Sequence, residues 1–247
     1  MADTSKTAIP VINNGETTGA CWSCGEMRAA HFCSACGKVQ PPAPADYFTF
    51  FGLPRKLTLD GPELERGFYE LSRKLHPDLY ARAQKQEQQW SLEQSSLLND
   101  AYRTLKDPIK RTEYLLKLEG VHLEEQSKTA TEEARASGAM KKQVVPPALL
   151  EEVFELNMQL EEMRASKKMG EREPELVAEL TQHKEKLEAQ YANLFHELKH
   201  DWTEWDKLVD RGSEEDRRAV RDKMVDLLNR RNYIRNLVRD VSEALEE

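Results

Sequence analysis

Apolar residues recur at helical intervals along most of this chain. Leu64, Phe68, Leu71 and Leu75, for example, are spaced by four, three and four residues, which places them on one side of a helix. Only 11 of the 247 residues are glycine, 32% are charged, and runs of the β-branched residues that favour strands are few. This balance is typical of long solvated helices, and we predict an all-α fold.

The second half of the chain contains three longer segments of this kind. They run over 148–168, 174–209 and 214–245 and are separated only by MGERE and DRGSEE. Connections this short join antiparallel neighbours, so we predict a C-terminal antiparallel three-helix bundle over 148–247. The stretch before it, over 121–147, is polar and poor in large apolar residues, and it is expected to be a flexible linker.

All four cysteines fall within one short stretch, CWSCGEMRAAHFCSACG. They form two Cys-x-x-Cys pairs, each followed by a glycine: Cys21, Cys24, Cys33 and Cys36. Two such knuckles can direct four thiolates at one ion, and closed four-cysteine sites are structural zinc sites. A reducing compartment disfavours disulfides, and iron, which thiolates also suit, is the alternative metal. We predict a zinc-knuckle module over 21–40, called the cysteine module below, with a stiff proline-rich spacer over 40–45.

The charge balance disfavours nucleic acid as a partner. The formal net charge is -8 and the pI is about 5.5, whereas binding to phosphates requires a basic surface. The first 20 residues contain neither a long apolar run nor the basic pattern of a targeting peptide. We expect a cytoplasmic protein with a flexible tail over 1–20, with protein partners and without membrane association.

The segment KLHPDLY, from Lys74 to Tyr80, separates two amphipathic helices. Proline and aspartate are ordinary turn residues, and on residue types alone the segment only ends a helix. The core stripe of the preceding helix stops at Leu75, and the following helix can pair with it antiparallel, so the loop should project outward. Three cations accompany the loop on the solvent side of the preceding helix: Arg66, Arg73 and Lys74. On charge alone, such a run is usually a solvated face.

The order of these motifs resembles the J domain of co-chaperones over 46–120: YFTFFGL, a basic helix, His-Pro-Asp, and then LLNDAYRTLKDPIKRTEYLLKLEG. More narrowly, it resembles the HscB type, the J protein of iron-sulfur cluster assembly. The resemblance implies that an HPD triplet docks on a 70-kDa heat-shock-class chaperone of the HscA or DnaK type and stimulates its ATPase. The implied chaperone-binding residues are His76, Pro77 and Asp78, assisted by Arg66, Arg73 and Lys74.

The first C-terminal helix carries two apolar stripes. One is the stripe expected in the core: Leu149, Val153, Leu156, Leu160 and Met163. The other lies off it and is bordered by carboxylates: Leu150, Phe154, Met158, Glu151, Glu155 and Glu162. Residue types alone fit either a helix packed on both sides or a partner surface. The HscB resemblance implies a surface for the iron-sulfur scaffold protein of the IscU type, formed by these six residues and by Tyr233, which we expect opposite the core stripe of the last helix.

The predicted function is that of an adaptor without catalysis of its own. It would deliver the scaffold protein to the chaperone and so aid cluster assembly and transfer, because linking two sites raises the effective concentration of one partner near the other. Weak self-association is a further expectation. The alternatives are a general J-protein adaptor and a zinc-ribbon nucleic-acid-binding protein, although only Arg28 and Lys38 stand near the cysteines. An enzyme is disfavoured, since the sequence offers no carboxylate pair, glycine-rich phosphate loop or nucleophile elbow.

Overall fold

The computed structural model describes residues 20–26, 31–121, 123, 149–170 and 173–246. The predicted tail and most of the predicted linker lie outside the described residues. The chain divides into two compact units, Met1–Leu118 and Glu119–Glu247. Within the described residues the regular elements are helical apart from isolated β-bridges such as the antiparallel pair of Phe32 and Val39, so the predicted all-α fold is confirmed.

Four α-helices and a short 3-10 turn form the first unit. They are α1 (Tyr47–Phe50), α2 (Gly61–Leu75), the 3-10 turn (Pro77–Tyr80), α3 (Lys85–Lys106) and α4 (Pro108–Leu118). Aspartate side chains cap the starts of α1, α2 and α4. The Asp60 carboxylate accepts from the Glu63 amide at 3.0 Å. The Asp107 carboxylate accepts from the amides of Ile109 and Lys110 at 2.9 and 3.1 Å.

The hairpin of α2 and α3 forms the core of the first unit, and the cysteine module contributes to it. Leu75 of α2 and Leu98 of α3 belong to one buried cluster. Val39, which follows the second knuckle, is fully buried in the same cluster, and Phe32 packs against it. The proline-rich spacer therefore does not hold the cysteine module away from the helices, because Val39 joins the helical core directly.

Gly67 lies in the interior of α2, where glycine is less favourable than alanine by roughly 1 kcal/mol. A Cβ atom at this position would meet only the Phe51 side chain, at 3.7 Å, which is an ordinary van der Waals distance. We therefore expect Gly67→Ala to raise the free energy of unfolding of the first unit by about 0.5–1 kcal/mol, measured by chemical denaturation. Gly25→Ala is the control and should be destabilising, since Gly25 has a φ of 80°. A lower stability of Gly67→Ala would contradict the helix-propensity argument.

Three long helices form the second unit. They are α5 (Leu150–Met169), α6 (Pro174–Leu208) and α7 (Glu214–Glu246), and their bounds differ from the predicted segments by no more than two residues. Glu152 of α5 pairs with Lys186 of α6 at 3.1 Å, and Gln159 donates to Glu179 at 2.9 Å, so the two helices run antiparallel. The predicted three-helix bundle is confirmed.

The predicted core stripe of α5 faces the inside of this bundle. All five of its members are buried: Leu149, Val153, Leu156, Leu160 and Met163. The buried residues of α6 include leucines along its length and, towards its C-terminal end, Trp202 and Trp205. No helix in the described part of the chain combines the length and the apolar composition needed to cross a bilayer.

Candidate partner-binding surfaces and metal site

Two serine hydroxyls fix the end of α2 to α3. Ser91 Oγ and Ser95 Oγ, one turn apart on α3, donate to the Leu75 carbonyl at 2.6 and 2.8 Å. Leu75 is the last residue of α2, where carbonyl groups lack donors within the helix, so the hydroxyls replace the missing backbone donors. The position from which the chain continues into His76 is thereby set by α3.

The HPD triplet occupies an exposed turn directly after this attachment. The Asp78 amide donates to His76 Nδ1 at 3.3 Å, and the Leu79 amide donates to the His76 carbonyl at 3.0 Å. The side chains of His76 and Asp78 are 57% and 89% exposed, and Pro77 is partly buried. Among the described residues, the Asp78 carboxylate has no lysine or arginine partner, so it is free to pair with a cation on another protein.

The three predicted cations of α2 are also accessible. Arg66, Arg73 and Lys74 are exposed, and within the part of the chain that the structure describes none of them forms an ion pair. Their charge is therefore available to attract an acidic surface. Leu79, next to the triplet, is 64% exposed and adds an apolar contact to the same region.

The thiols of the four cysteines converge on one point. The Sγ atoms of Cys21, Cys24, Cys33 and Cys36 all lie within 4.8 Å of one another. The Cys21–Cys36 and Cys24–Cys33 sulfur distances are 3.7 and 3.5 Å. A tetrahedron with metal–sulfur distances of about 2.3 Å has edges of about 3.8 Å, whereas a disulfide bond measures about 2.0 Å. The four residues could therefore hold one tetrahedrally coordinated metal ion.

The two knuckles have the backbone turns that such a site needs. Gly25 and Gly37 have φ values of 80° and 69°, in the left-handed region that glycine adopts without strain. Their amides donate to the carbonyls of Cys21 and Cys33, each at 2.9 Å. These glycines therefore allow the chain to turn towards the sulfur atoms at each knuckle.

Local hydrogen bonds give the cysteine thiols different pKa values. Burial raises the pKa of Cys21, but donation from the Cys24 and Ser23 amides and from the Gln40 side chain outweighs it and lowers the pKa to about 6. The Glu26 amide stabilises the thiolate form of Cys24. The hydrogen bond of the Cys24 thiol to the Cys33 sulfur and the burial of the thiol favour the protonated form more strongly, so the pKa of Cys24 rises to about 12. A metal ion requires thiolates and would displace the remaining protons.

The cysteine module lies along one face of α3. The Trp22 ring packs edge-on against Trp90 with 5.6 Å between centroids. The Lys38 ammonium group pairs with the nearly buried Glu87 carboxylate at 2.9 Å. Sequence reasoning missed this docking. Trp90 also packs against the hydrophobic cluster that contains Leu75 and Leu98, so its spacing along α3 did not distinguish it from a residue of the helical core.

His31 links the cysteine module to the helices and is not one of the converging ligands. Its Nδ1 lies 2.7 Å from the Gln94 side-chain oxygen, and its Nε2 lies 2.9 Å from the Phe50 carbonyl. Both ring nitrogens are therefore engaged within the first unit. Gln94 itself is almost completely buried in α3, a second contact that sequence reasoning did not identify.

One face of α5 presents the predicted apolar and acidic side chains together. Leu150, Phe154 and Met158 are 54%, 66% and 59% exposed. The neighbouring glutamates are also exposed, and within the second unit no described element covers this face, so the helix is not packed on both sides there. Clustered exposed apolar groups mark an interaction surface. This surface, called the α5 face below, comprises Leu150, Glu151, Phe154, Glu155, Met158 and Glu162.

Tyr233 does not belong to an exposed surface. Its side chain is only 5% exposed and lies on α7 among buried residues such as Ile234 and Leu237. Burial raises the pKa of its hydroxyl, and Asp240 adds to the effect. This burial conflicts with the predicted place of Tyr233 in a binding surface, and it arises because α7 contacts both α6 and α5 and so buries more than one stripe.

Family models match two regions of the chain. Residues 46–114 match the DnaJ domain, and residues 145–213 match the HSCB C-terminal oligomerisation domain. The first region contains the HPD triplet, and the second contains the α5 face. The cysteine module lies outside both matches.

Curated relatives share these regions. The chain is 32% identical over 168 residues to the iron-sulfur cluster co-chaperone protein HscB homolog of Arabidopsis thaliana, covering 68% of this chain and 61% of that protein. It is 40% identical over 111 residues to the iron-sulfur cluster co-chaperone protein HscB of Mus musculus, covering 42% and 47% of the two chains. The matched part thus spans about half to three-fifths of the length of these relatives.

Solved structures show the same fold. The crystal structure of human co-chaperone protein HscB matches with a TM-score of 0.58 at 23% identity, covering 91% of this chain and 97% of that chain. The chaperone HscB from Vibrio cholerae matches with a TM-score of 0.50 at 25% identity, covering 82% and 98%. Both domain families are thus matched within this one chain. Its fold resembles that of the two solved structures.

Proposed function

Because the chain belongs to the HscB-type J proteins, we propose that it stimulates the ATPase of a 70-kDa heat-shock-class chaperone and delivers an iron-sulfur scaffold protein to it. The observation that carries this proposal is the exposed HPD triplet, attached to the end of a helix whose cations form no ion pair with any residue that the structure describes. The chain contributes contacts in this scheme, and ATP is hydrolysed on the chaperone.

On the chaperone side, the proposal assigns each group a physical role. The Asp78 carboxylate pairs with an arginine of the chaperone, since a charge-assisted bidentate pair is both strong and directional. His76 holds the turn by accepting the Asp78 amide, and Pro77 restricts the backbone. Arg66, Arg73 and Lys74 accelerate the encounter with an acidic surface, and their contribution should fall at high salt.

On the scaffold side, the α5 face is the proposed binding surface. Its three exposed apolar side chains provide area that a partner can remove from water, at about 25 cal/mol per Å² before the costs of association. Its glutamates favour a partner whose apolar patch is bordered by lysine or arginine. Tyr233 is not included in this surface, because its side chain is buried.

Zinc is the metal we propose for the four-cysteine site. A d¹⁰ ion without redox chemistry suits a closed tetrahedral site of four thiolates, and its binding would stabilise the cysteine module. Cys21, Cys24, Cys33 and Cys36 would be its ligands. Iron remains the competing metal, and metal analysis of the purified protein by mass spectrometry distinguishes the two.

Metal binding should weaken as the pH falls, because protons compete for the thiolates. Cys24, with a pKa of about 12, must lose its proton on binding, and Cys21, with a pKa of about 6, gains one in acid. We expect the association constant for Zn²⁺ to fall by at least about tenfold between pH 7 and pH 5, with proton release at pH 7. Calorimetric titration in two buffers of different protonation enthalpy measures both quantities, and an affinity independent of pH would contradict the four-thiolate site.

Two further properties complete the proposal. A reducing compartment such as the cytoplasm suits four ligating thiolates and is the proposed location.

The matched C-terminal family model is described as an oligomerisation domain. We therefore include weak self-association of the chain in the proposal, and sedimentation at several concentrations would detect it.

A pull-down from native cells tests the proposal as a whole. The tagged chain should retain a 70-kDa chaperone and an iron-sulfur scaffold protein, identified by mass spectrometry. Retention of the chaperone together with varied clients and no scaffold would instead indicate a general J-protein adaptor. Absence of the chaperone would contradict the proposed function altogether.

A further inference from the structure

Buried hydrogen bonds connect the four-cysteine site to α3. The Gln40 side-chain amide donates to Cys21 Sγ at 3.4 Å. The Gln94 side-chain amide donates to the Gln40 carbonyl at 2.7 Å. Gln40 and Gln94 are 0% and 1% exposed, so water does not compete for these bonds. One residue of α3 is thus two hydrogen bonds from a metal-ligating sulfur.

The same turn of α3 holds the start of the HPD triplet. Gln94 lies between Ser91 and Ser95, whose hydroxyls both donate to the Leu75 carbonyl. Leu75 directly precedes His76. One turn of helix therefore contacts the cysteine module through its glutamine and the end of α2 through its serines.

The cysteine module depends on a cross-link to keep this contact. A segment of about 20 residues has no core of its own without a metal or a disulfide. Its buried apolar side chain, Val39, is packed in the helical cluster with Phe50, Leu75 and Leu98. Loss of the metal would unfold the module. Val39 and Gln40 would then no longer be buried against α3.

We propose that metal binding at the four-cysteine site positions the HPD triplet, and that Gln94 is the positioning residue that transmits the effect through α3. The cysteine module has two states in this proposal, metal-bound and metal-free. Only the metal-bound state keeps Gln94 hydrogen-bonded to Gln40 and His31. The consequence for a chaperone rests on the proposed function. The structural coupling within the first unit does not.

Amide hydrogen exchange of the full chain tests the coupling without any partner. The protein is compared with bound Zn²⁺ and after removal of the metal with EDTA. Removal should speed exchange by about tenfold at the Leu79 amide and in α3 around Ser91–Ser95. Exchange in α6 of the second unit serves as the internal reference and should not change. Unchanged exchange at Leu79 and in α3 after verified metal loss would overturn the proposal.

Gln94→Ala tests whether this side chain carries the effect. In the variant, metal removal should speed exchange at Leu79 by less than about threefold, because the connection is already broken. Gln89→Ala is the matched control, since Gln89 is exposed on the same helix and its side-chain amide donates to Glu93 of that helix, and it should keep the full tenfold response. A full response in Gln94→Ala would overturn its role. If the variant does not fold, the comparison of the two metal states in the unaltered chain still decides the coupling.

An ATPase titration separates this inference from the proposed function. The metal-free chain should need about tenfold more protein for half-maximal stimulation, because a smaller fraction of its triplets is positioned. Maximal stimulation should be retained. Equal titrations for the two forms would contradict the positioning role, whereas no stimulation by either form, with the exchange result intact, would overturn the proposed function and leave the structural coupling standing.

Discussion

His76→Gln is expected to lower the stimulation of the chaperone ATPase by at least about tenfold. His76 Nδ1 accepts the Asp78 amide at 3.3 Å, so the ring holds the backbone of Asp78 in the turn from which its carboxylate projects. A glutamine side chain is more flexible and would leave the carboxylate unrestrained, which adds an entropic cost to binding. The measurement is the steady-state ATPase rate of the chaperone against the concentration of the chain.

The controls for this prediction use residues of similar exposure. His196→Gln changes an exposed histidine of α6 that has no predicted role and should leave stimulation unchanged. Asp78→Asn removes the charge while keeping the shape, and it should match His76→Gln if charge pairing is the main contact. Because His76 is exposed, the free energy of unfolding should change by less than about 0.5 kcal/mol in His76→Gln. Wild-type stimulation by the variant would contradict the role of the triplet.

Truncation of the α5 face should weaken scaffold binding by about 100-fold. Leu150→Ala combined with Phe154→Ala removes two of the three exposed apolar side chains, and interface anchors of this kind are worth about 1–2 kcal/mol each. Their sum corresponds to about two factors of ten in Kd. Calorimetric titration of the purified scaffold protein into the chain measures the change.

The matched control removes exposed apolar groups from elsewhere on the same bundle. Met169 and Val177 are 75% and 43% exposed but lie outside the α5 face. Met169→Ala with Val177→Ala should therefore leave Kd within about twofold of the unaltered chain. Equal losses in both double variants would point to general disturbance of the bundle, and unchanged binding in the first would exclude the α5 face.

Helical periodicity predicted the parts of the fold that depend on local sequence. The core stripe of α5 and the helix bounds follow from spacing, because a helix turns by about 100° per residue wherever it lies. The α5 face follows for the same reason, as the complement of a correctly placed core stripe. Its exposure did not follow from spacing alone, because a helix with two apolar stripes can also be packed on both sides.

Contacts between elements were not predictable in the same way. The burial of Tyr233 was not predicted because α7 packs against two neighbouring helices, whose positions its own spacing does not encode. The docking of the cysteine module on α3 was missed because it rests on single residues from distant segments, such as Val39 and Gln94. The proline-rich spacer between them suggested separation, although a short stiff segment can equally return the chain to a neighbouring surface.

The central claim is that one chain brings the scaffold protein to the chaperone by two separate surfaces. The most direct measurement is the chaperone ATPase rate with the chain and the scaffold added separately and together. The account predicts that the scaffold raises the rate synergistically with the unaltered chain. With Leu150→Ala and Phe154→Ala combined, stimulation by the chain alone should persist and the synergy should disappear. Undiminished synergy in that variant, or none with the unaltered chain, would contradict the claim.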